Sequence, residues 1–136
     1  MPLITWSDAA YSVKNSTIDS QHKRLIEMIN ELNEAMASRN GFDVTDRVIE
    51  KTLEYTFYHF QNEEALMDKF SYPEMAHHIT QHETFRKKIA TLKKQAGEHV
   101  GTVPRELLLY LRDWLLNHII HVDKKLGAFL QEQGQE

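Results

Sequence analysis

Between His59 and His82 the chain reads HFQNEEALMDKFSYPEMAHHITQH, in which His59 and Glu63 stand four residues apart, as do His78 and His82. Four residues is slightly more than one helical turn, so each pair projects from one face of its helix. Imidazole nitrogens and carboxylate oxygens are metal donors, and facing helices of a bundle are where such donors are brought together. The break at Ser71-Tyr72-Pro73 supplies a tight turn between the two helices.

The elements that must carry these donors are legible from apolar spacing. An arm, residues 1–18, holds Trp6, Tyr11, Val13 and Ile18 without helical period and is expected to cover the end of a bundle with its aromatics. Asp19 is the expected N-cap of a first helix over 19–39, whose inward stripe is His22, Leu25, Ile26, Ile29, Leu32 and Met36, ending near Asn40-Gly41. A second helix over 43–70 aligns Val48, Thr52, Tyr55, His59, Glu63, Leu66 and Phe70. A third over 74–96 aligns Met75, His78, His82, Phe85, Ile89, Leu92 and Ala96. A fourth over 104–123 opens on Pro104 and carries Leu107, Leu111, Leu115, His118 and Ile119, followed by a C-terminal segment, 124–136, with a short helix. The fold predicted for residues 1–136 is one all-α domain, an antiparallel up-down-up-down four-helix bundle with an N-terminal arm and a short C-terminal helix.

In that topology His22 and the pair His78 and His82 lie near the starts of helices one and three. His59, Glu63, His118 and Asp123 lie toward the ends of helices two and four. All of them therefore fall at one end of the bundle. A histidine or carboxylate on an apolar stripe must be paired, hydrogen-bonded or metal-bound, because burying it alone costs several kcal/mol. Five histidines and two carboxylates exceed the ligands of one tetrahedral or one octahedral ion, so two metals are expected. An odd number of histidines makes the pair unequal, with an open position on the metal that receives fewer. Imidazole with carboxylate suits iron, and also admits manganese or zinc.

Composition narrows the alternatives. The chain of 136 residues has no cysteine, which removes thiolate zinc sites, iron–sulfur clusters and disulfides. A net charge of −4 argues against nucleic acid as a partner. The lysines and arginine around 86–94 read as a solvated helix face. No basic leader precedes a long apolar run, and no stretch is apolar enough to insert in a membrane, so a cytoplasmic protein is expected.

The combination of His22, His59-x3-Glu63, His78-x3-His82 and His118-x4-Asp123, with IDSQHKRLIEMIN at 18–30, resembles the hemerythrin family, in particular its single-domain bacterial members. The likeness extends from Trp6 to about Leu130. It implies two iron ions bridged by Glu63, Asp123 and an oxo or hydroxo group. His78, His82 and His118 would hold one iron, His22 and His59 the other, and dioxygen would bind reversibly at the latter. The implied protein is not an enzyme but an oxygen carrier, store or delivery protein, monomeric, with an oxygen-consuming enzyme as a transient partner. The readings kept beside it are a di-iron oxidase or peroxidase and an oxygen- or redox-sensing module.

A carrier must keep water from its bound ligand, and Leu25, Phe60, Trp114, Leu115 and Ile119 are the apolar candidates for an oxygen pocket, if they are not simply core. His118 and Asp123 are five residues apart, about 140° around a regular helix, so either the helix widens locally or the aspartate reaches sideways. His77, His99 and His121 are read as surface residues, the first and last with some prospect of contacting a ligand. The family resemblance implies a glycine in the arm where Lys14-Asn15 stands, a departure that Asn15 can absorb because asparagine tolerates positive φ.

Overall fold

The computed structural model describes residues 3–38 and 41–134. A short α1 (Asp8–Tyr11) lies in the arm and is followed by α2 (Ser16–Ala37), α3 (Gly41–Lys69) and α4 (Met75–Gly97). The last long helix is a composite of α5 (Val103–Trp114), a π-helical segment π1 (Leu115–Asp123) and α6 (Lys124–Glu132). α2 packs on α3, α3 on α4, α4 on α5, and α5 closes back on α2. Sequential neighbours joined by tight turns are antiparallel, which makes this the expected up-down-up-down bundle. Among the described residues no helix is long and apolar enough to cross a membrane.

The turns are set by local chemistry. After α3, Ser71 takes φ 55° and the Tyr72 N–H reaches back to the Met67 carbonyl at 2.9 Å, a Schellman-type stop that Pro73 makes final. α4 ends the same way, with His99 at φ 58° and the Val100 N–H on the Gln95 carbonyl at 3.1 Å. His99 is thus an exposed helix terminator.

The N-terminal expectations need correction. α2 begins at Ser16, and its N-cap is Asn15, whose extended backbone (φ −134°) lets Oδ1 accept from the Ile18 N–H at 3.0 Å. Asp19 already lies inside the helix and serves the arm instead: Oδ1 accepts from the Val13 N–H at 2.9 Å and Oδ2 from Ser12 Oγ at 2.6 Å. The arm itself contains α1, and its positive φ belongs to Lys14 (62°) rather than Asn15. α3 starts at Gly41, ahead of the expected 43. The predicted stop near Asn40-Gly41 falls partly outside the described residues. The fourth helix starts at Val103 and runs on to Glu132, so the segment after 123 continues it.

Two apolar clusters divide the interior. The larger contains Leu25, Ile29, Leu32, Val48, Phe60, Phe85, Ile89, Leu92, Leu107, Leu111, Leu115 and Ile119, with Trp6 and Tyr11 packed against it. The smaller joins Val13, Ile18, Met67, Tyr72, Leu126 and Leu130. The layer between them holds His22, Glu63 and Asp123, each placed along its helix between members of the two clusters. Burial of the apolar side chains, at about 25 cal/mol per Å², drives the bundle together and seals that layer from both ends.

The arm closes the smaller cluster by passing directly over Gly127, where a Cβ would stand 2.1 Å from the Val13 carbonyl oxygen. Gly127→Ala gains about 1 kcal/mol of helix propensity. It loses about 1–3 kcal/mol to overpacking that no rotamer change relieves, because the opposing atom is backbone. The expected net result is a lower midpoint of thermal unfolding, with proteolysis opening first in the arm; an unchanged or raised midpoint would show that the arm is not seated there.

Candidate metal centre

Each long helix delivers its donors from the turn that lies in the sealed layer: His22 from α2, His59 and Glu63 from α3, His78 and His82 from α4, and His118 and Asp123 from π1. All seven side chains are at most 2% exposed. The π-helical winding of Leu115–Asp123 is the local widening, one of the two arrangements that the five-residue spacing allows. The wider i→i+5 winding brings positions i and i+5 toward one face, so His118 and Asp123 both point inward.

Donor atoms gather into two groups, each spanning no more than 4.8 Å: Glu63, His78, His82 and His118 in one, His22, His59, Glu63 and Asp123 in the other. Asp123 turns Oδ1 toward His78 Nε2 (3.0 Å) and His118 Nε2 (2.9 Å), and Oδ2 toward His22 Nε2 (2.8 Å). Glu63 Oε1 lies 3.1 Å from His82 Nε2, 3.2 Å from His78 Nε2 and 3.5 Å from His59 Nε2.

The residues that orient these imidazoles come from the neighbouring helix in every resolved case. Gln21, just before His22, accepts from His59 Nδ1 at 2.6 Å. Glu64, just after Glu63, accepts from His82 Nδ1 at 2.8 Å and is paired with Arg86 at 3.3 Å. Gln81, just before His82, accepts from His118 Nδ1 at 2.7 Å, and its amide N–H donates to His77 Nε2 at 3.2 Å. Aromatic rings lie flat on the same three ligands: Tyr55 on His59 (5.0 Å, 14°), Phe60 on His82 (3.8 Å, 5°) and Trp114 on His118 (4.0 Å, 12°).

Sequence reasoning missed Gln21, Glu64 and Gln81. The signal available was position: a residue one step from a ligand is rotated about 100° and so faces the adjacent helix. The proposed pocket residues Leu25, Phe60, Leu115 and Ile119 are fully buried, with Trp114 partly buried beside them. Phe60 and Trp114 spend their faces on His82 and His118. His77 and His121 are exposed, and His77 does reach a ligand, through Gln81.

This donor set fits divalent cations. A neutral imidazole that gives its Nδ1 proton to Gln21, Glu64 or Gln81 has only a lone pair at Nε2, and those lone pairs converge on acceptor-only carboxylates. Buried Glu63 Oε2, Asp123 Oδ1 and His118 Nε2 indeed have no hydrogen-bond partner. Burial pushes His59 down to about 4 against the pull of Glu63 and Asp123, which keeps it a neutral donor. Burial and mutual repulsion oppose ionisation of the carboxylates, yet the surrounding imidazoles hold Glu63 at about 2 and Asp123 well below its ordinary value.

Without metal, His78 carries a compensating proton: burial lowers its pKa, but the Asp123 and Glu63 carboxylates that face its Nε2 raise it to about 10. A divalent ion must displace that proton. Metal uptake near pH 7.5 is therefore expected to release about one proton per chain from this group, and affinity should rise with pH up to about 10. The proton's stabilisation of the metal-free fold is complete below about 6.5 and is lost as pH rises through about 10. Calorimetry in buffers of different ionisation enthalpy measures the release, and uptake without proton release would contradict this arrangement. Glu64→Gln keeps the hydrogen bond to His82 but removes its charge. A fall of roughly tenfold or more in metal affinity is expected by chelator competition; wild-type affinity would reduce Glu64 to a surface ion pair.

Residues 13–130 match the hemerythrin HHE cation binding domain. A bacteriohemerythrin of Methylococcus capsulatus is 32% identical over 96% of this chain and 98% of its own, and one from Stenotrophomonas maltophilia is 40% identical over 88% and 76%. A crystal structure of wild-type hemerythrin superposes with a TM-score of 0.83 at 30% identity, covering 93% of this chain and 96% of that one. With its donors on four antiparallel helices and its match extending over nearly the whole bundle, the chain belongs to the hemerythrin family.

Proposed function

We propose that this protein binds dioxygen reversibly at a non-heme di-iron centre and acts as a carrier rather than an enzyme. His78, His82 and His118 would hold one iron and His22 and His59 the other, with Glu63 and Asp123 and an oxo or hydroxo group shared between them. The observation that supports this most is Asp123, whose two oxygens face different sets of histidines, as a bridging carboxylate requires. The three-to-two division of histidines leaves the His22 and His59 side one donor short, and that is where an exogenous ligand fits. When bound, the iron pair supplies the electrons that dioxygen takes up on binding and gives back on release.

The protein's own contribution is to orient the donors and exclude water. Gln21, Glu64 and Gln81 fix three imidazole tautomers, so no donor has to reorganise as the ligand arrives and leaves. Leu25, Leu115 and Ile119 come from the turns next to His22 and His118 and are completely buried. They present hydrocarbon where a protic side chain would hasten loss of the ligand as a reduced product. The smaller apolar cluster closes the opposite side of the layer.

The decisive measurement is the visible spectrum of the reduced, iron-loaded protein through repeated addition and removal of oxygen. A charge-transfer band that appears with oxygen and disappears on its removal over several cycles, with two iron ions per chain, is the expected result. Irreversible oxidation at first exposure would replace the carrier reading with an oxidase, a peroxidase or a redox sensor. A metal content of one ion or none per chain would remove the ligand assignment.

A further inference from the structure

Among the five buried histidines, His78 stands apart in how it is held. His59, His82 and His118 each have an Nδ1 partner and an aromatic ring lying flat against them. His78 Nδ1 is buried with no protein partner, and its ring meets only the edges of His82 and His118, at 73° and 84°. His22 Nδ1 also lacks a partner, but only His78 of the seven donors borders either of the two cavities described here. The larger one, about 730 Å³ between α2 and α3, is bordered by Gln21 and Tyr55 and touches none of the seven. The smaller, about 240 Å³, has His78 in its wall together with Tyr72, Glu74, His121 and Lys125.

Accepting the metal-centre reading above, we infer that divalent metal reaches the centre through this smaller cavity, captured transiently by Glu74 and His121 and admitted when the His78 ring turns aside. An exposed imidazole and a carboxylate at one opening are the nitrogen and oxygen donors that a first-row divalent ion takes up on leaving water. Glu74 is held at rest by Lys125, 3.3 Å away, so arriving metal competes with an ammonium for that carboxylate. His77 is not part of the capture pair, since its Nε2 lone pair is used by the Gln81 amide. Turning His78 costs only its contacts with Glu63 and Asp123, whereas moving any of the three tethered imidazoles also breaks an Nδ1 hydrogen bond and a ring stack. The capture residues lie outside the final ligand set, so they alter the rates of loading and removal equally and leave the affinity unchanged.

The test follows Co(II) uptake by metal-free protein in a stopped-flow spectrophotometer, and its removal by excess chelator. His121→Ala is expected to slow both by roughly threefold or more with unchanged stoichiometry and affinity. Lys125→Gln, which releases Glu74 and removes a repelling charge at the opening, is expected to speed uptake, an outcome that damage to the fold would not produce. Lys51→Gln is the matched control, because Lys51 borders the larger cavity and pairs with Glu31 at 3.2 Å in the same manner. Uptake unaltered in His121→Ala, or equal acceleration by the two lysine variants, overturns the route while leaving the metal centre intact. Failure of the wild-type protein to take up Co(II), zinc or iron overturns both together.

Discussion

Two ionised carboxylates, Glu63 and Asp123, sit fully buried among five imidazoles, and the rest of the structure answers to that arrangement. Isolated buried charge is among the costliest features a fold can contain, and it persists only where opposite charge is supplied. The metal-free protein meets the need partly with the proton on His78, and bound divalent cations would supply opposite charge in its place. Metal binding and the integrity of the bundle interior are therefore one problem in electrostatics. A bundle with the same apolar stripes but no cation would carry an uncompensated layer through its middle.

Orientation of the donors is distributed around the bundle rather than held within each helix. Gln21, Glu64 and Gln81 each follow or precede a ligand on their own helix and grip a ligand on the next. This couples helix packing to donor geometry, since a helix that shifts carries away its neighbour's support. Glu64 differs from the two glutamines by its charge, so His82 is the most electron-rich of the tethered imidazoles. Phe60 stacks on His82 under the Arg86 guanidinium, which keeps this charged pair at the edge of the core.

The last helix shows how a local departure from regular winding serves the site. An α-helix through Leu115–Asp123 would leave Asp123 about 140° from His118 and remove the carboxylate whose two oxygens face both groups of donors. The π winding costs helix regularity, and the side chains it aligns recover that cost through their convergence on the buried layer. The apolar neighbours Leu115 and Ile119 go inward with them, so one irregular segment brings two polar and two apolar side chains into the buried interior.

Much of this was readable before any coordinates. The threes-and-fours spacing of apolar residues determined four amphipathic helices, and the polar residues interrupting those stripes, His22, His59, Glu63, His78, His82 and His118, stood out as candidate donors because a buried histidine or carboxylate needs a pair, a hydrogen bond or a metal. The spacing of five against a period of 3.6 called for either a local widening near Asp123 or a sideways reach, and the π winding is the first of these. The helix start was misread at Asp19, because a side chain's fitness as a cap says nothing of whether its backbone is extended; Asn15 meets that condition, and Asp19 ties down the arm. Only the tertiary structure decided which residues support which ligands. Gln21, Glu64 and Gln81 act across helix interfaces, and His78 is singled out by a cavity and by partners it does not have. Periodicity reports which face of a helix is buried, whereas contacts between helices depend on the rotation and rise that packing alone sets.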